Sequence, residues 1–330
     1  MTATRDGFCR KFTEGEDEWS CRRRISPERM AGEFVEFCGV SLRPTMDQLK
    51  ALLREAGFGE VSEAGHLPGG MRGVHYTSPD GGYDIRYLAD QSEGASVHTV
   101  LHETYEIIHE TLCDLHSASP PPRTVCVEAN RFAAAVMLQP ETFSLFARAS
   151  GYDAVALQKQ YGCSYATTTL RLAEVMRRQP LMAVLYEREE EGEIAAWDEE
   201  PLPSRFKASV VTRTPGFGAR DGRLLCGERG GRPRKGKSIS PGSLAHRVLL
   251  TGRAAYAERK PGRNGARTGD VAVAARPVIW YGKLAKVALV AVPYRDKAVL
   301  LPQLANDSFE RLEDLAEVPQ WRLKADAQVV

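Results

Sequence analysis

The sequence predicts an α+β protein whose first 180 residues are mainly helical and whose remainder, residues 181–330, is rich in strands. Three observations predict this class. Leucines and other apolar residues recur at helical spacing through much of the first part. Two short strand-like runs within residues 69–88 interrupt those helices around a Pro-Asp-Gly-Gly turn. After Pro180 the apolar residues form continuous runs, such as "VAVAARPVIW" and "KLAKVALVAV", which are joined at Tyr281-Gly282.

Length and composition are those of an ordinary globular protein with more than one core. A chain of 330 residues suits two or three domains. Apolar residues make up 43% and charged residues 26% of the chain, and the formal net charge is only +1. There is therefore no overall field that attracts nucleic acid, and binding to DNA or to a membrane would need a local patch.

The cysteines and the apolar runs indicate the cellular compartment. The seven cysteines include no C-x-x-C pair, so neither a disulfide framework nor a zinc ribbon is indicated. The first residues lack the apolar core of a secretory leader, and no apolar run has the length of a membrane span. The sequence therefore predicts a cytoplasmic protein with no membrane partner.

Start and stop residues mark the first elements. Residues 1–26 are polar and charged, and we expect them to form a loosely ordered extension. The segment "SPERMAGEFVEFCGV" opens with Ser26-Pro27, a typical helix start. A second helix, "RPTMDQLKALLREAGF", opens at Pro44 and is expected to stop at Gly57.

Helical segments follow the two predicted strands. A helix is predicted over residues 95–114, and "CVEANRFAAAVMLQPETFSLFARAS" resumes as helix, divided by Pro140. The segment "DAVALQKQYGCSYATTTLRLAEVM" has the pattern of helix, tight turn and helix. A strand at "LMAVLYEREE" begins the C-terminal part, and "SFERLEDLAEV", residues 308–318, predicts an amphipathic helix near the end.

The stretch "HTVLHETYEIIHETL", residues 98–112, carries the candidate chemistry. In the H-E-x-x-H helix of metallopeptidases, two histidines at i and i+4 grip one metal ion from the same helix face. The glutamate between them takes a proton from the attacking water. Here His102 and Glu103 are present, but Glu106 stands in place of the second histidine. Polar residues on the same helix also recur at spacings of three and four: His98, His102, Glu106, His109 and Cys113.

Two interpretations of this helix are open. In the first, Glu106 binds the metal, because a carboxylate is an accepted zinc ligand, although its hardness favours manganese or iron. In the second, the helix has an ordinary solvated face, which is the commoner origin of histidines beside glutamates. Glu128, at the head of the next helix, favours the first interpretation, because a catalytic metal site needs a third protein ligand. A glutamate there is also favoured by the helix dipole alone.

Several motifs, in this order, resemble the ImmA/IrrE family of metallopeptidases. They are "LPGGMRGVHY…YDIRY", a short sheet before the active helix, and "TVLHETYEII", similar to T-x-x-H-E-x-x-H. "EANRFAAAVMLQP" then resembles E-A-N/D-x-F-A-A-x-x-x-x-P, and "LQKQYGCSYATTTLRLAEV" resembles the helix-turn-helix of the family. The resemblance covers roughly residues 28–180. The remaining third resembles, more weakly, the C-terminal GAF-like module of the IrrE radiation-response regulators of deinococci.

The resemblance implies a fold and a division into domains. It implies a mainly helical, zincin-like metallopeptidase domain with a small sheet at residues 27–148, after the polar extension 1–26. A helix-turn-helix unit follows at residues 149–180, and a GAF-like α/β sensor domain at residues 181–330.

The resemblance also implies the role of each site residue. His102 resembles the first metal ligand and Glu103 the general base, while Glu106 replaces the second histidine ligand. Glu128 is similar to the third ligand. The implied cofactor is one divalent metal, zinc or manganese.

The implied activity is that of a metalloendopeptidase that cleaves a helix-turn-helix transcriptional repressor and thereby switches on a stress, or DNA-damage, response. Two alternatives remain: a catalytically lapsed protein of the same fold that binds protein or DNA, and a metal hydrolase with a non-peptide substrate. Direct DNA binding is the less favoured partner prediction. The second helix of the helix-turn-helix begins with tyrosine and threonines, whereas base-reading helices offer Arg, Asn or Gln near their start.

Overall fold

A computed structural model describes residues 4–12, 25–78, 82–115, 125–189, 201–218, 223–227, 232–259, 271–305 and 310–312. Within these residues both helices and strands are abundant, so the predicted α+β class is confirmed at that level. No helix in this described part is long and apolar enough to cross a membrane. The helices are α1 (Arg5–Arg10), α2 (Pro27–Cys38), α3 (Met46–Glu55), α4 (Glu93–Leu115), α5 (Val125–Met137), α6 (Pro140–Ala149), α7 (Ala154–Tyr161), α8 (Tyr165–Val175), α9 (Arg223–Cys226), α10 (Leu244–Thr251) and α11 (Leu301–Ala305).

The strands fall into two sheets, and the chain divides into two compact units. One unit is Met1–Pro140 with Tyr161–Ser164, and the other is Glu141–Gln160 with Tyr165–Val330. The strands are β1 (Glu60–Ala64), β2 (Gly73–Thr77), β3 (Tyr83–Leu88), β4 (Met182–Arg188), β5 (Phe206–Arg213), β6 (Ala255–Arg259), β7 (Val271–Trp280), β8 (Lys283–Pro293) and β9 (Glu310–Leu312).

Side-chain caps begin the first predicted helices. The Ser26 hydroxyl accepts a hydrogen bond from the Arg29 amide, and Pro27 occupies the first helical position of α2, as predicted. Thr45 caps α3 in a reciprocal capping box with Gln48. The second helix therefore starts just after Pro44 rather than at it.

Residues 4–12 differ from the expected loose extension. They include α1, in which Phe8 is fully buried and packs edge-on against Phe34 of α2 at 5.9 Å between ring centroids. Phe34 in turn contacts Phe132 of α5 at 5.4 Å. Burying such rings is worth a few kcal/mol, about 1.5–3 for each side chain, and this outweighs the charged composition around them. The segment is thus part of the core beneath α5.

The three-stranded sheet of the first unit places β2 beside α4. The strand order is β1-β3-β2, with β1 parallel and β2 antiparallel to β3. A Cβ atom at Gly73 would lie only 2.3 Å from Cγ2 of Thr99 on α4, so glycine permits this close approach. His75 lies two residues farther along β2 and therefore points to the same side as Gly73. The sheet thus places the imidazole of His75 beside α4.

The second unit is built on a six-stranded sheet in the order β5-β4-β8-β7-β6-β9. Its pairs are antiparallel except for β6 with β9. The predicted β7–β8 hairpin is confirmed: Tyr281 and Gly282 form its turn, with φ angles of 48° and 77°. The expected helix at residues 308–318 is not formed over Glu310–Leu312, which pair with β6 instead. Sheet pairing overrides helical spacing there. The rest of that segment lies outside the described residues.

Helices cover both faces of this sheet. Val248 of α10 packs in the same cluster as Val184 of β4. The next residue of that strand, Leu185, faces the opposite side and packs with Ala154 of α7 and Tyr165 of α8. The helices α7 and α8 are joined through a short turn at residues 162–164, as predicted. The early residues of α8, which would read bases in a DNA-binding unit, are thus turned toward the sheet.

Candidate metal centre

One face of α4 is lined by carboxylates and meets the imidazole of His75. Its Nδ1 lies 2.8 Å from Oε2 of Glu103 and 3.9 Å from Oε2 of Glu106. Its Nε2 lies 3.0 Å from Oε1 of Glu110. The three glutamates are spaced by three and four residues, which places them on one side of the helix. His75 is therefore surrounded by acceptors from a single helix.

Glu106 lies between two imidazoles. Its Oε1 is 3.2 Å from Nε2 of His102, one turn earlier on α4, while its other oxygen faces His75. The side-by-side placement of His102 and Glu106 is the arrangement that the i, i+4 spacing predicts. Whether they bind a metal remains a prediction.

The donor atoms fit a divalent metal. Among the described residues, one group of three potential ligands has all its donor atoms within 4.8 Å of one another: His75, Glu103 and Glu106. One imidazole and two carboxylates suit zinc or manganese. This group contains Glu106 of the predicted ligands and also the predicted base, Glu103. It does not contain His102 or Glu128.

Glu128 and His102 are each held from the neighbouring helix. Glu128 lies in the first turn of α5, and its Oε2 accepts a hydrogen bond from the Tyr105 hydroxyl of α4 at 3.0 Å. Nδ1 of His102 lies 3.2 Å from Oδ1 of Asn130 on α5. The structure thus places Glu128 on the α4–α5 interface, bonded to Tyr105.

Sequence reasoning missed His75 and Glu110. The predicted ligands all lie on α4 and α5, whereas His75 lies on β2 of the preceding sheet. A local signal existed: "GVH" places a histidine two residues after a glycine, on a strand just before the motif helix. A glycine inside a strand often marks the close approach of another element.

Charge in the cluster is balanced by the imidazoles. Burial opposes a charge on His75, but its hydrogen bonds to Glu103 and Glu110 prevail and raise its pKa to about 9. The bond to His75 in turn lowers the pKa of Glu110. Burial also opposes a charge on His102, yet Glu106 raises the pKa of His102 overall. Without a metal, a proton on His75 therefore compensates part of the carboxylate charge at neutral pH.

The other histidines of α4, His98 and His109, lie outside the group His75, Glu103 and Glu106 whose donor atoms are within 4.8 Å of one another. Burial lowers the pKa of His98 to about 4, so its imidazole is neutral at ordinary pH. His109 is buried, and its Nδ1 lies 3.7 Å from the Cys113 sulfur, one turn further along the helix. Both are better explained as structural side chains of the helix than as ligands.

We expect the metal-free protein to lose stability in alkaline solution. The folded pKa of His75, about 9, exceeds its unfolded value near 6.5. Its contribution is therefore fully present below pH 6.5 and lost as the pH rises through 9. The loss should be on the order of 2–3 kcal/mol. Urea unfolding of chelator-treated protein at pH 6 and pH 9 measures it.

The matched control for this pH dependence is the exposed His66 of the same unit. His75→Gln should flatten the fall in stability between the two pH values, whereas His66→Gln should leave it unchanged. Equal slopes in all three proteins would contradict the assignment to His75.

Comparison with known proteins gives the family of this region. Residues 67–173 match Peptidase_M78, the IrrE N-terminal-like domain. A solved structure of a Mycobacterium tuberculosis transcriptional regulator is similar, with a TM-score of 0.55 and 15% identity. The similarity covers 90% of this chain and 83% of that one, and at this identity it shows a shared fold. No match is found among curated protein sequences. Residues 67–173 are therefore an IrrE N-terminal-like domain of the Peptidase_M78 family, in agreement with the predicted resemblance to ImmA/IrrE-type proteins.

Proposed function

We propose that the protein is a metal-dependent endopeptidase that cleaves a helix-turn-helix transcriptional repressor and so switches on a stress response. The observation that carries this proposal is the 3.2 Å approach of His102 Nε2 to Glu106 Oε1. A bare imidazole nitrogen and a carboxylate oxygen are both acceptors, so this approach is favourable when Nε2 carries a hydrogen or when a metal ion lies between the two atoms. The substrate class is the one implied by the resemblance to ImmA/IrrE peptidases.

The proposed ligands are His102, Glu106 and Glu128, with Glu103 as the general base. A bound zinc or manganese ion would polarise the carbonyl of the scissile peptide bond. Glu103 would take a proton from the attacking water and return it to the leaving amine. Its carboxylate is nearly buried, and the contact between Oε2 and His75 fixes its direction. His75 is then a residue that orients the base.

A second candidate function is favoured by the group His75, Glu103 and Glu106. If these three side chains hold the metal, Glu103 is a ligand and is not available as a base. The protein would then be a non-catalytic transcriptional regulator of the same fold, which binds a protein or DNA partner. The fold shared with a mycobacterial transcriptional regulator is compatible with this alternative.

The second unit is proposed to be a GAF-like sensor. A mainly antiparallel six-stranded sheet with helices against both faces supports this proposal. The proposed domains are the peptidase domain at residues 27–148, the helix-turn-helix unit at 149–180 and the sensor at 181–330. A signal received there would control the cleavage of the repressor.

Substitution of Glu106 tests the metal site. Wild-type protein dialysed against zinc or manganese should retain one metal ion per chain, measured by elemental mass spectrometry. Glu106→Ala should lose the ion. Loss of a residue that only orients a ligand lowers metal affinity by roughly 10–100-fold, and the loss from Glu106→Ala should be larger. Glu106→His should keep the metal and favour zinc, because it restores the second imidazole.

The exposed Glu93 at the start of α4 provides a matched control for this experiment. Glu93→Ala should bind metal like the wild-type protein. Absence of metal from the wild-type protein, with a gain in Glu106→His, would instead favour the lapsed enzyme.

A further inference from the structure

The helices α4 and α5 each hold a candidate ligand of the other. Asn130 of α5 contacts His102 of α4, and Tyr105 of α4 contacts Glu128 of α5. We propose that Asn130 and Tyr105 are positioning residues, through which the packing of α4 against α5 sets the direction of both ligands. This inference rests on the metal site of the proposed function. It adds two residues to which neither the H-E-x-x-E motif nor the ligand set gives a role.

The orientation of Asn130 follows from its second hydrogen bond. Its Nδ2 donates to the backbone carbonyl of Cys126 at 2.9 Å, and a carbonyl oxygen can only accept. The amide oxygen Oδ1 is therefore the atom that faces Nδ1 of His102. Since Oδ1 is an acceptor, Nδ1 of His102 must carry the proton. Asn130 thus favours the imidazole protonated on Nδ1, in competition with the Glu106 carboxylate, which attracts a proton to Nε2.

This tautomer is the one that a metal ligand needs here. With the proton on Nδ1, the lone pair of the neutral ring is on Nε2, the nitrogen that faces Glu106. A hydrogen bond from the other ring nitrogen commonly fixes the tautomer and the ring direction of histidine ligands. Asn130 makes this bond from the first part of α5, two residues after Glu128.

Tyr105 acts on Glu128 in the reverse direction. It is buried, and its ring packs against Phe132 of α5 with 5.3 Å between centroids. The direction of its hydroxyl is therefore fixed by the core. That hydroxyl donates to Oε2 of Glu128 at 3.0 Å. A glutamate has three rotatable side-chain bonds, so this bond helps to hold the carboxylate on the side of α4.

The role of Asn130 is tested without any metal. In the Glu106→Ala variant, the carboxylate that competes for the His102 proton is absent. This variant, labelled with ¹⁵N in its histidines and kept at alkaline pH, should show His102 protonated on Nδ1 in long-range ¹H–¹⁵N spectra. Adding Asn130→Ala should convert it to a mixture of tautomers, and Asn130→Asp should keep the proton on Nδ1, because a carboxylate also accepts. Val127→Ala, at an exposed position of α5, should change nothing.

The role of Tyr105 is tested by metal affinity. Tyr105→Phe keeps the ring and removes the hydroxyl, and it should weaken zinc or manganese binding roughly 10-fold or more. In a Glu128→Gln background the same change should have no further effect, because the hydroxyl acts through that carboxylate. The matched control is Tyr87→Phe, which removes a buried phenol bonded to Glu63 in the sheet.

Three results would overturn the inference in whole or in part. An unchanged His102 tautomer when Asn130→Ala is added to Glu106→Ala removes the role of Asn130. An equal loss of affinity from Tyr105→Phe in the wild-type and Glu128→Gln backgrounds removes the role of Tyr105. If the wild-type protein binds neither zinc nor manganese, the proposed metallopeptidase activity and the role of Tyr105 are both wrong. The role of Asn130 is then still decided by the tautomer of His102.

Discussion

Glu103→Gln is expected to reduce cleavage of a repressor by at least about 100-fold, with the fold and the bound metal retained. The amide has nearly the same shape as the carboxylate but cannot take a proton from water. It can still accept the hydrogen bond that Glu103 makes with His75 at 2.8 Å, so the local packing is preserved. Gel analysis of a panel of purified helix-turn-helix repressors, each incubated with the wild-type and variant proteins, measures the effect.

Glu110→Gln provides the matched control. Glu110 lies on the same helix and is bonded to the other nitrogen of the same histidine, at 3.0 Å, but it is half-exposed and has no proposed part in the chemistry. Cleavage by Glu110→Gln should stay within a few-fold of the wild-type rate. The comparison separates loss of the base from loss of charge around His75.

The metal content of Glu103→Gln distinguishes the two ligand sets. If His102, Glu106 and Glu128 hold the metal, the variant keeps it. If the ligands are His75, Glu103 and Glu106, the variant loses metal and activity together, because an amide is a much weaker ligand than a carboxylate. A variant that regulates like the wild-type protein in cells, with no cleavage by either, would favour the non-catalytic regulator.

Local chemistry explains why the sequence predicted the helices from α2 to α6. The Ser26-Pro27 start of α2 and the division at Pro140 depend on caps and on proline geometry, which act within a few residues. The Tyr281-Gly282 turn is local in the same sense. The i, i+4 placement of His102 and Glu106 requires nothing beyond a helix.

What the sequence did not predict depends on contacts between distant segments. His75 meets Glu103 because Gly73 lacks a Cβ where β2 crosses α4, and no periodicity reveals which helix a strand will meet. Phe8 lies in a segment rich in charged residues, yet it enters an aromatic core assembled from four parts of the first unit. The helix predicted at the C-terminal end was overruled at Glu310–Leu312 by pairing with β6.

Asp153→Ala is expected to produce the largest loss of stability, about 3–5 kcal/mol. The carboxylate of Asp153 is almost fully buried and pairs with Arg276 of β7. It also accepts a hydrogen bond from the Val155 amide at 2.9 Å, which caps the start of α7. Its removal therefore leaves Arg276, whose side chain is only 16% exposed, without this carboxylate and leaves α7 without a cap. Urea unfolding at neutral pH measures the loss.

A paired substitution identifies which of these losses dominates. In Asp153→Ala with Arg276→Met, no buried guanidinium remains to be compensated, so much of the stability should return even though the ion pair is gone. Asp153→Asn keeps an acceptor for the Val155 amide, so its deficit comes from the charge alone. If the double variant is no more stable than Asp153→Ala, the lost free energy of unfolding comes from the missing cap and not from the unpaired charge of Arg276. The hydrogen bond from the Val155 amide to Asp153 would then stabilise the protein more than the ion pair with Arg276 of β7 does.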